Sequence, residues 1–334
     1  MVVEGINLDH TYRGKKVLIT GGLGFIGSNL AHELVKIGSD VTIIDALYPE
    51  GGGNLFNIKG IENKIKINFA DMRDKAALNQ VVKDKDYIFN LAAQSSHVES
   101  MENPFDDLEI NGLGTLALLE ACRKYNSEAK IIFSGTRSQY GKIVYTPVDE
   151  KHPITPVDTN GISKHAAEQY HLLYYRTYGI RATSLRLTNT YGPRHLMKHN
   201  RQGFLNWFIR QAMDNEVIKI FGDGLQIRDF HYVDDVVLAL LLTGESKRSE
   251  GEIFNLGGEP SNLKDLVSLI IDITRNGSSE LIPFPDERKK IEIGSFTADY
   301  GKIKKTLGWE PKIGLEEGIK KTVEFYEKHR KEYW

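Results

Sequence analysis

Eight consecutive residues, Thr20-Gly21-Gly22-Leu23-Gly24-Phe25-Ile26-Gly27, have the types and spacing to hold a phosphate. Glycine at 21, 24 and 27 permits a tight turn, close approach of a pyrophosphate and close packing of a helix on a strand. A helix opening behind such a turn offers free backbone N–H groups and the positive end of its dipole to an anion. One glycine pattern alone is weak evidence. Here a second apolar run, Val41-Thr42-Ile43-Ile44, ends in Asp45, the place for a carboxylate that accepts from a ribose diol about 20 residues past the turn. A carboxylate there would repel a 2′-phosphate, so NAD is favoured over NADP.

Those groups need a strand, a turn and a helix in that order. Val17-Leu18-Ile19 reads as the strand, and Ile26, Leu30, Leu34 and Ile37 share one face of the helix. The alternation continues, with strands expected at 64–69, 86–91, 130–134 and 181–187 and helices at 74–82, 106–125 and 160–178. This predicts an α/β, Rossmann-type doubly wound parallel sheet whose ligands gather at the carboxyl ends of the strands. Beyond Tyr191-Gly192-Pro193 the pattern breaks into helices at 203–214, 233–242, 261–275 and 315–330, with short strands near 217–220 and 252–256. The expected division is a dinucleotide-binding domain over 1–188 and, over 189–334, a smaller interleaved lobe, some of whose segments return to the first domain.

Composition narrows the function classes. With 334 residues, 40% hydrophobic, the chain can bury a full core, and a net charge of −2 leaves no footprint for nucleic acid. The single cysteine, Cys122, excludes an internal disulfide and a multi-cysteine metal site, and no metal is expected. The amino terminus lacks the pattern of a secretory signal, and the longest apolar run, Val236 to Leu242, is far short of the roughly 20 residues that span a bilayer. A soluble protein of the cytoplasm, without a membrane partner, is expected.

Taken together, TGGLGFIGSNL at 20–30, SGTRSQYG at 134–141, RLTNTYGPR at 186–194, GDGLQIRDFHYVDD at 222–235 and FNLGG at 254–258 resemble the extended short-chain dehydrogenase/reductase family of nucleotide-sugar epimerases and dehydratases. The similarity runs over nearly the whole chain. Within it the chain resembles UDP-glucose 4-epimerases and CDP-tyvelose 2-epimerases. The resemblance implies that NAD is held by Gly21, Gly24, Phe25, Ile26, Gly27 and the ribose acid Asp45. It adds the adenine-side Asp71 with Met72, the strand end Leu91-Ala92-Ala93, and Ser134 and Lys164. It implies a nucleotide-diphosphate sugar as partner, touched by Gln94, His97, Asn189, Arg228 and Arg288. It also implies a homodimer through a four-helix interface, to which Leu172, Leu173, Tyr174 and Tyr175 would contribute exposed surface. The chemistry implied is epimerisation, in which hydride is abstracted transiently and a keto-sugar forms. Thr136 would polarise the sugar oxygen and Lys164 would hold the ribose.

Two departures from the family pattern bear on that chemistry. The family's Tyr-x-x-x-Lys reads Asn160-Gly161-Ile162-Ser163-Lys164 here, and an asparagine that orients substrate cannot act as a general base. The base then comes from Lys164, Tyr140 or His97, or the chain binds NAD and its sugar without fast turnover, or Asn160 is an engineered trap. Secondly, Thr136 is followed by Arg137-Ser138, where the related dehydratases carry Asp-Glu. Without those carboxylates elimination of water loses its proton carriers, so epimerisation is favoured over dehydration; a reductase remains the other alternative.

Overall fold

The computed structural model describes residues 2–3, 6–48, 51–289 and 291–334. Seven parallel strands form the central sheet, in the spatial order Ile253–Asn255, Ala182–Leu187, Lys130–Thr136, Tyr87–Asn90, Lys16–Thr20, Asp40–Asp45 and Ile65–Phe69. The apolar runs expected to be strands are buried on both faces, as a parallel sheet covered by helices requires; Val17, Leu18, Ile19, Ile131 and Ile132 are fully enclosed. From Lys16–Thr20 the chain winds outward to Ile65–Phe69, then returns to the other side at Tyr87–Asn90. That reversal opens a crevice between the two strands, at their carboxyl ends.

A second, three-stranded sheet joins Asn189–Tyr191, Ile227–Tyr232 and Glu259–Asn262, and Val217–Phe221 pairs in parallel with Ser278–Ile282. The strands at 189–191, 227–232, 259–262 and 278–282 escape the sequence pattern because each is short and carries charged or polar residues such as Arg228, Asp229 and Glu280. Burial divides the same way. One apolar cluster lies beneath the large sheet and takes in Val236 to Leu242, Phe254, Ile303 and Trp309. Another unites the helices Phe204–Met213, Leu263–Thr274 and Leu315–Tyr333 with the small sheet.

Two expectations need correction. The helix expected over 106–125 is segmented: Pro104–Asp107 runs through a π-helical stretch, Leu108–Leu113, into Gly114–Tyr125. The wide turn carries inward polar groups, since Asn111 Nδ2 donates both to the Gln94 carbonyl (2.9 Å) and to Asp107 Oδ2 (3.1 Å). On the helix Thr159–Tyr178, Leu172 and Tyr174 are buried rather than exposed, and the Tyr174 hydroxyl donates to Glu120 Oε1 at 2.6 Å. Helical periodicity turns these two toward the chain's own core and leaves Leu173 outside.

Under this helix a buried ion pair ties it to the sheet. Glu168 accepts from Arg186 at Nη2 (2.5 Å) and Nε (3.0 Å) and from Ser184 Oγ (2.8 Å). Burial pushes the Glu168 carboxyl up, but bonds from His165, Arg186 and Ser184 outweigh it and hold it at about 2. Glu168→Ala, which strands a buried guanidinium, is expected to cost about 3–5 kcal/mol in urea unfolding. The wild-type contribution of Glu168 should be present above pH about 4.5 and be lost as the pH falls toward 2, which unfolding curves taken across that window would check.

Candidate active site

The turn at 21–27 is built for close approach. A Cβ added at Gly27 would lie 2.3 Å from the Gly21 carbonyl oxygen, and one at Gly21 would lie 2.8 Å from Ala92 Cα. Gly21 also has φ +68, in the left-handed region. The helix Phe25–Ile37 starts at this turn with no side-chain cap, so its first N–H groups face the cavity. Asp45 ends its strand where expected: its carboxylate accepts from Leu23 N (2.9 Å) and Leu47 N (2.8 Å), and burial raises its pKa.

A cavity of about 450 Å³ opens over these strand ends. Gly21, Gly24, Phe25, Ile26, Gly27 and Asp45 form one wall, joined by Asp71, Met72, Leu91, Ala92 and Ala93. Asp71 is engaged by Arg73, whose Nη2 and Nε donate to it at 2.8 and 3.0 Å. Ser134, Thr136 and Lys164 line the far end with Gln94, His97 and Asn189. The cradle fits a dinucleotide: it has glycine where a side chain would collide with backbone, a free helix start, and an acid at the next strand end.

At the far end the side chains are held tightly. Lys164 is buried, its Nζ donates to the Ser134 carbonyl (2.8 Å) and stands 4.8 Å over the Phe133 ring, and burial lowers its pKa to about 8 against the opposing charge of Asp107. Thr136 Oγ1 accepts from Ser138 N and Oγ, both at 3.3 Å. Asn160, one helical turn before Lys164, is buried and absent from the cavity wall. Its Nδ2 donates to the Gln94 carbonyl (2.8 Å) and to Asp107 Oδ2 (3.2 Å), and its Oδ1 accepts from Ser138 Oγ (3.5 Å). The expectation that Asn160 orients substrate therefore meets a carboxamide already occupied by the protein.

Of the three candidates for the base, Tyr140 is removed from the cavity. It is fully buried, its hydroxyl donates to Asn255 Oδ1 at 2.6 Å, and burial pushes its pKa to about 12. His97 lies on the cavity wall with its side chain part-exposed, and its Nδ1 is 2.8 Å from Asp158 Oδ2. Asp158 is the N-cap of the helix that carries Asn160 and Lys164, its other oxygen accepting from Gly161 N (2.7 Å). Burial raises the Asp158 pKa, but the bond to His97 and further attractions outweigh it, so the carboxyl sits below its ordinary range.

The expected phosphate ligands fare unequally. Asn189 reaches the wall, with its Nδ2 donating to the Asp229 carbonyl (2.9 Å). Arg228 is buried off the cavity, bonded to Glu292 Oε1 (2.6 Å), Gly294 O (2.6 Å) and Ile227 O (2.9 Å). Arg288 falls on the short helix Asp286–Lys289, and its side chain lies outside the described residues. Sequence reasoning missed the wall formed by Tyr48 and by 200–206, and Asp158 as the partner of His97. Asp158 was detectable only as a cap before a helical run, because its partner lies 61 residues away.

A dinucleotide cradle joined to a polar far end that holds a lysine, a threonine and a His–Asp pair defines a nicotinamide-dependent α/β enzyme. Residues 17–257 match the NAD dependent epimerase/dehydratase family, to which the chain belongs. It is 38% identical over 310 residues to a putative UDP-glucose 4-epimerase of Methanocaldococcus jannaschii, covering 92% of this chain and 97% of that one. With the CDP-paratose 2-epimerase of Salmonella typhi it shares 32% identity, over 93% and 98% of the two chains. The crystal structure of the UDP-glucose 4-epimerase of Thermotoga maritima with UDP-glucose superposes with a TM-score of 0.86 at 34% identity, over 94% and 99% of the chains. Dehydratases and decarboxylases of nucleotide sugars are also among its relatives. NAD is the cofactor of this family, and it fits the cradle on this chain's own geometry.

Gly27→Ala is expected to weaken NAD binding by at least 100-fold, because the new methyl group meets a backbone oxygen rather than a side chain that can turn away. Titration of the purified variant with NAD, followed by tryptophan fluorescence, checks this against the parent chain.

Proposed function

We propose that this chain epimerises a nucleotide-diphosphate sugar, taking hydride from a ring carbon and returning it to the opposite face. The observation that carries the reading is the loop after Thr136. Elimination needs an acid and a base beside the sugar, and at that position Arg137 and Ser138 supply neither. Bound NAD would supply the reversible hydride acceptor. The chain's part is to hold the sugar and move one proton. Lys164 holds the nicotinamide-side ribose, and its charge favours loss of a nearby hydroxyl proton. Thr136 donates a hydrogen bond to the reacting oxygen.

His97 is the group assigned here to take the proton. With Nδ1–H donated to the ionised Asp158, the bare Nε2 is left for the cavity, and Asp158 stabilises the imidazolium that forms. Asn160 is a positioning residue that fixes the Gln94 backbone and the Ser138 hydroxyl beneath the site. Pairing of two copies through Thr159–Tyr178 and Gly114–Tyr125 is supported by the exposed Leu113, Leu173 and Tyr178.

Adding UDP-, CDP-, GDP- and dTDP-sugars to the NAD-loaded protein is expected to give a transient rise in reduced-nicotinamide absorbance with one of them, and an isomerised sugar by NMR. Unchanged sugar across the panel, with binding still measurable, would replace the epimerase by a binding protein. With the active sugar in hand, His97→Gln should lower kcat by roughly 10²–10⁴-fold while NAD affinity holds. Asp158→Asn should also lower kcat, because the helix cap survives but the anion does not. Asn160→Tyr should bring no gain in rate; a large gain would show that the base is absent and would remove His97 from the role.

A further inference from the structure

Behind the cofactor wall, on the side away from the cavity, stands an arginine that the hydride chemistry does not use. Arg73 is absent from the cavity lining and faces an outer groove between the helices Lys75–Val81 and Gly114–Tyr125. Its guanidinium touches two carboxylates that do line the cavity, Asp71 after the strand Ile65–Phe69 and Asp106 on the short helix Pro104–Asp107. Nη2 and Nε donate to Asp71 Oδ2 (2.8 Å) and Oδ1 (3.0 Å), and the Arg73 backbone N–H adds a bond to Oδ1 (2.8 Å). Nη1 reaches Asp106 Oδ1 (3.5 Å) and Glu109 Oε2 (3.1 Å). Asn103 Nδ2 donates to the other oxygen of Asp106, Oδ2, at 2.6 Å.

Few lone pairs are left over. Oδ1 of Asp71 has both taken up by Arg73, whereas Oδ2 keeps one. Each oxygen of Asp106 likewise accepts one bond and keeps one lone pair. Two carboxylates standing together repel, and one of them is driven to take up a proton unless a cation is shared between them. Burial pushes the Asp71 pKa up, but the bonds from Arg73 outweigh it and hold the carboxyl below its usual range, so Asp71 meets a ligand ionised. These two carboxylates therefore offer acceptors in fixed directions, suited to a group with two donors on one atom.

We propose that Arg73 is a positioning residue for the purine of NAD. It holds Asp71 and Asp106 side by side, so that together they accept from the exocyclic amino group of adenine and turn away a 6-oxo purine. This rests on the reading of Asp71 as the adenine-side acid, and on no step of the sugar chemistry. The amino group of adenine donates two N–H bonds from one nitrogen, whereas hypoxanthine carries an acceptor oxygen there. An oxygen that faces two ionised carboxylates finds no donor and is repelled. Arg73 makes the choice possible because its planar fork fixes the plane of the Asp71 carboxylate, which the point charge of a lysine does not.

The test is competition of NAD and of nicotinamide hypoxanthine dinucleotide against bound NADH, followed by nicotinamide fluorescence. The wild type is expected to bind NAD roughly 10–100-fold tighter than the hypoxanthine analogue, the range for charge-assisted bonds. In Arg73→Ala that ratio should fall to about one through loss on the NAD side, with Arg73→Lys intermediate. Asp71→Asn and Asp106→Asn, whose carboxamides can offer a donor to the 6-oxo group, should each lower the ratio. Equal weakening of both dinucleotides in Arg73→Ala would make Arg73 an ordinary support of the fold and overturn the proposal. So would a wild type that does not discriminate, or a ratio unchanged in either asparagine variant. Each of these measurements is made without a sugar, so the proposal and the epimerase reading fail separately.

Discussion

The helix Phe25–Ile37 meets the strand Lys16–Thr20 through backbone, at Gly27 against Gly21, and the site depends on that contact. A side chain at either position would lift the helix from the sheet. The free N–H groups at the helix start would then leave the crevice at the strand ends. The same turn brings Gly21 against Ala92, so the strand Tyr87–Asn90 and its loop are set by it too. Thr20 Oγ1 reinforces this, accepting from Leu91 N and Ala92 N, both at 3.0 Å. The cradle is therefore rigid before any ligand arrives, and binding need not order it.

A second rigid point sits at the far end. Asn160, Asp107, Asn111 and the Gln94 carbonyl form one buried network that clamps the helix Thr159–Tyr178 to the π-helical stretch and to the loop after Tyr87–Asn90. It is only partly satisfied, since Asp107 Oδ1 and Asn111 Oδ1 are buried without a hydrogen-bond partner. Asn160 is thereby part of the frame, and Lys164 one turn later keeps its place on the Ser134 carbonyl.

The charges at this end are arranged in layers. Lys164 and Arg137 face the cavity as cations whose pKa values burial lowers, while the acids Asp107, Asp158 and Asp229 stand behind them. His97 lies on the same wall, with Asp158 behind it at 2.8 Å.

The parallel sheet, the glycine cradle and Asp45 were legible in the sequence because each is a local signal: an apolar run, a glycine spacing, an acid at a strand end. Thr136 and Lys164 were legible for the same reason, lying in motifs a few residues long. The short polar strands of the smaller lobe were not, since their pairing partners and not their composition make them strands. Nor could the sequence say that Tyr140 is sealed against Asn255, that Arg228 is spent on Glu292, or that His97 meets Asp158. Those outcomes depend on side chains between 61 and 115 residues apart meeting in space, and spacing along a chain carries no information about such meetings until the sheet has closed. The sequence by itself determined the kind of fold and the cofactor cradle. Tertiary structure alone decided which polar groups are consumed as frame, as Tyr140 and Asn160 are, and which reach the cavity wall, as His97 does.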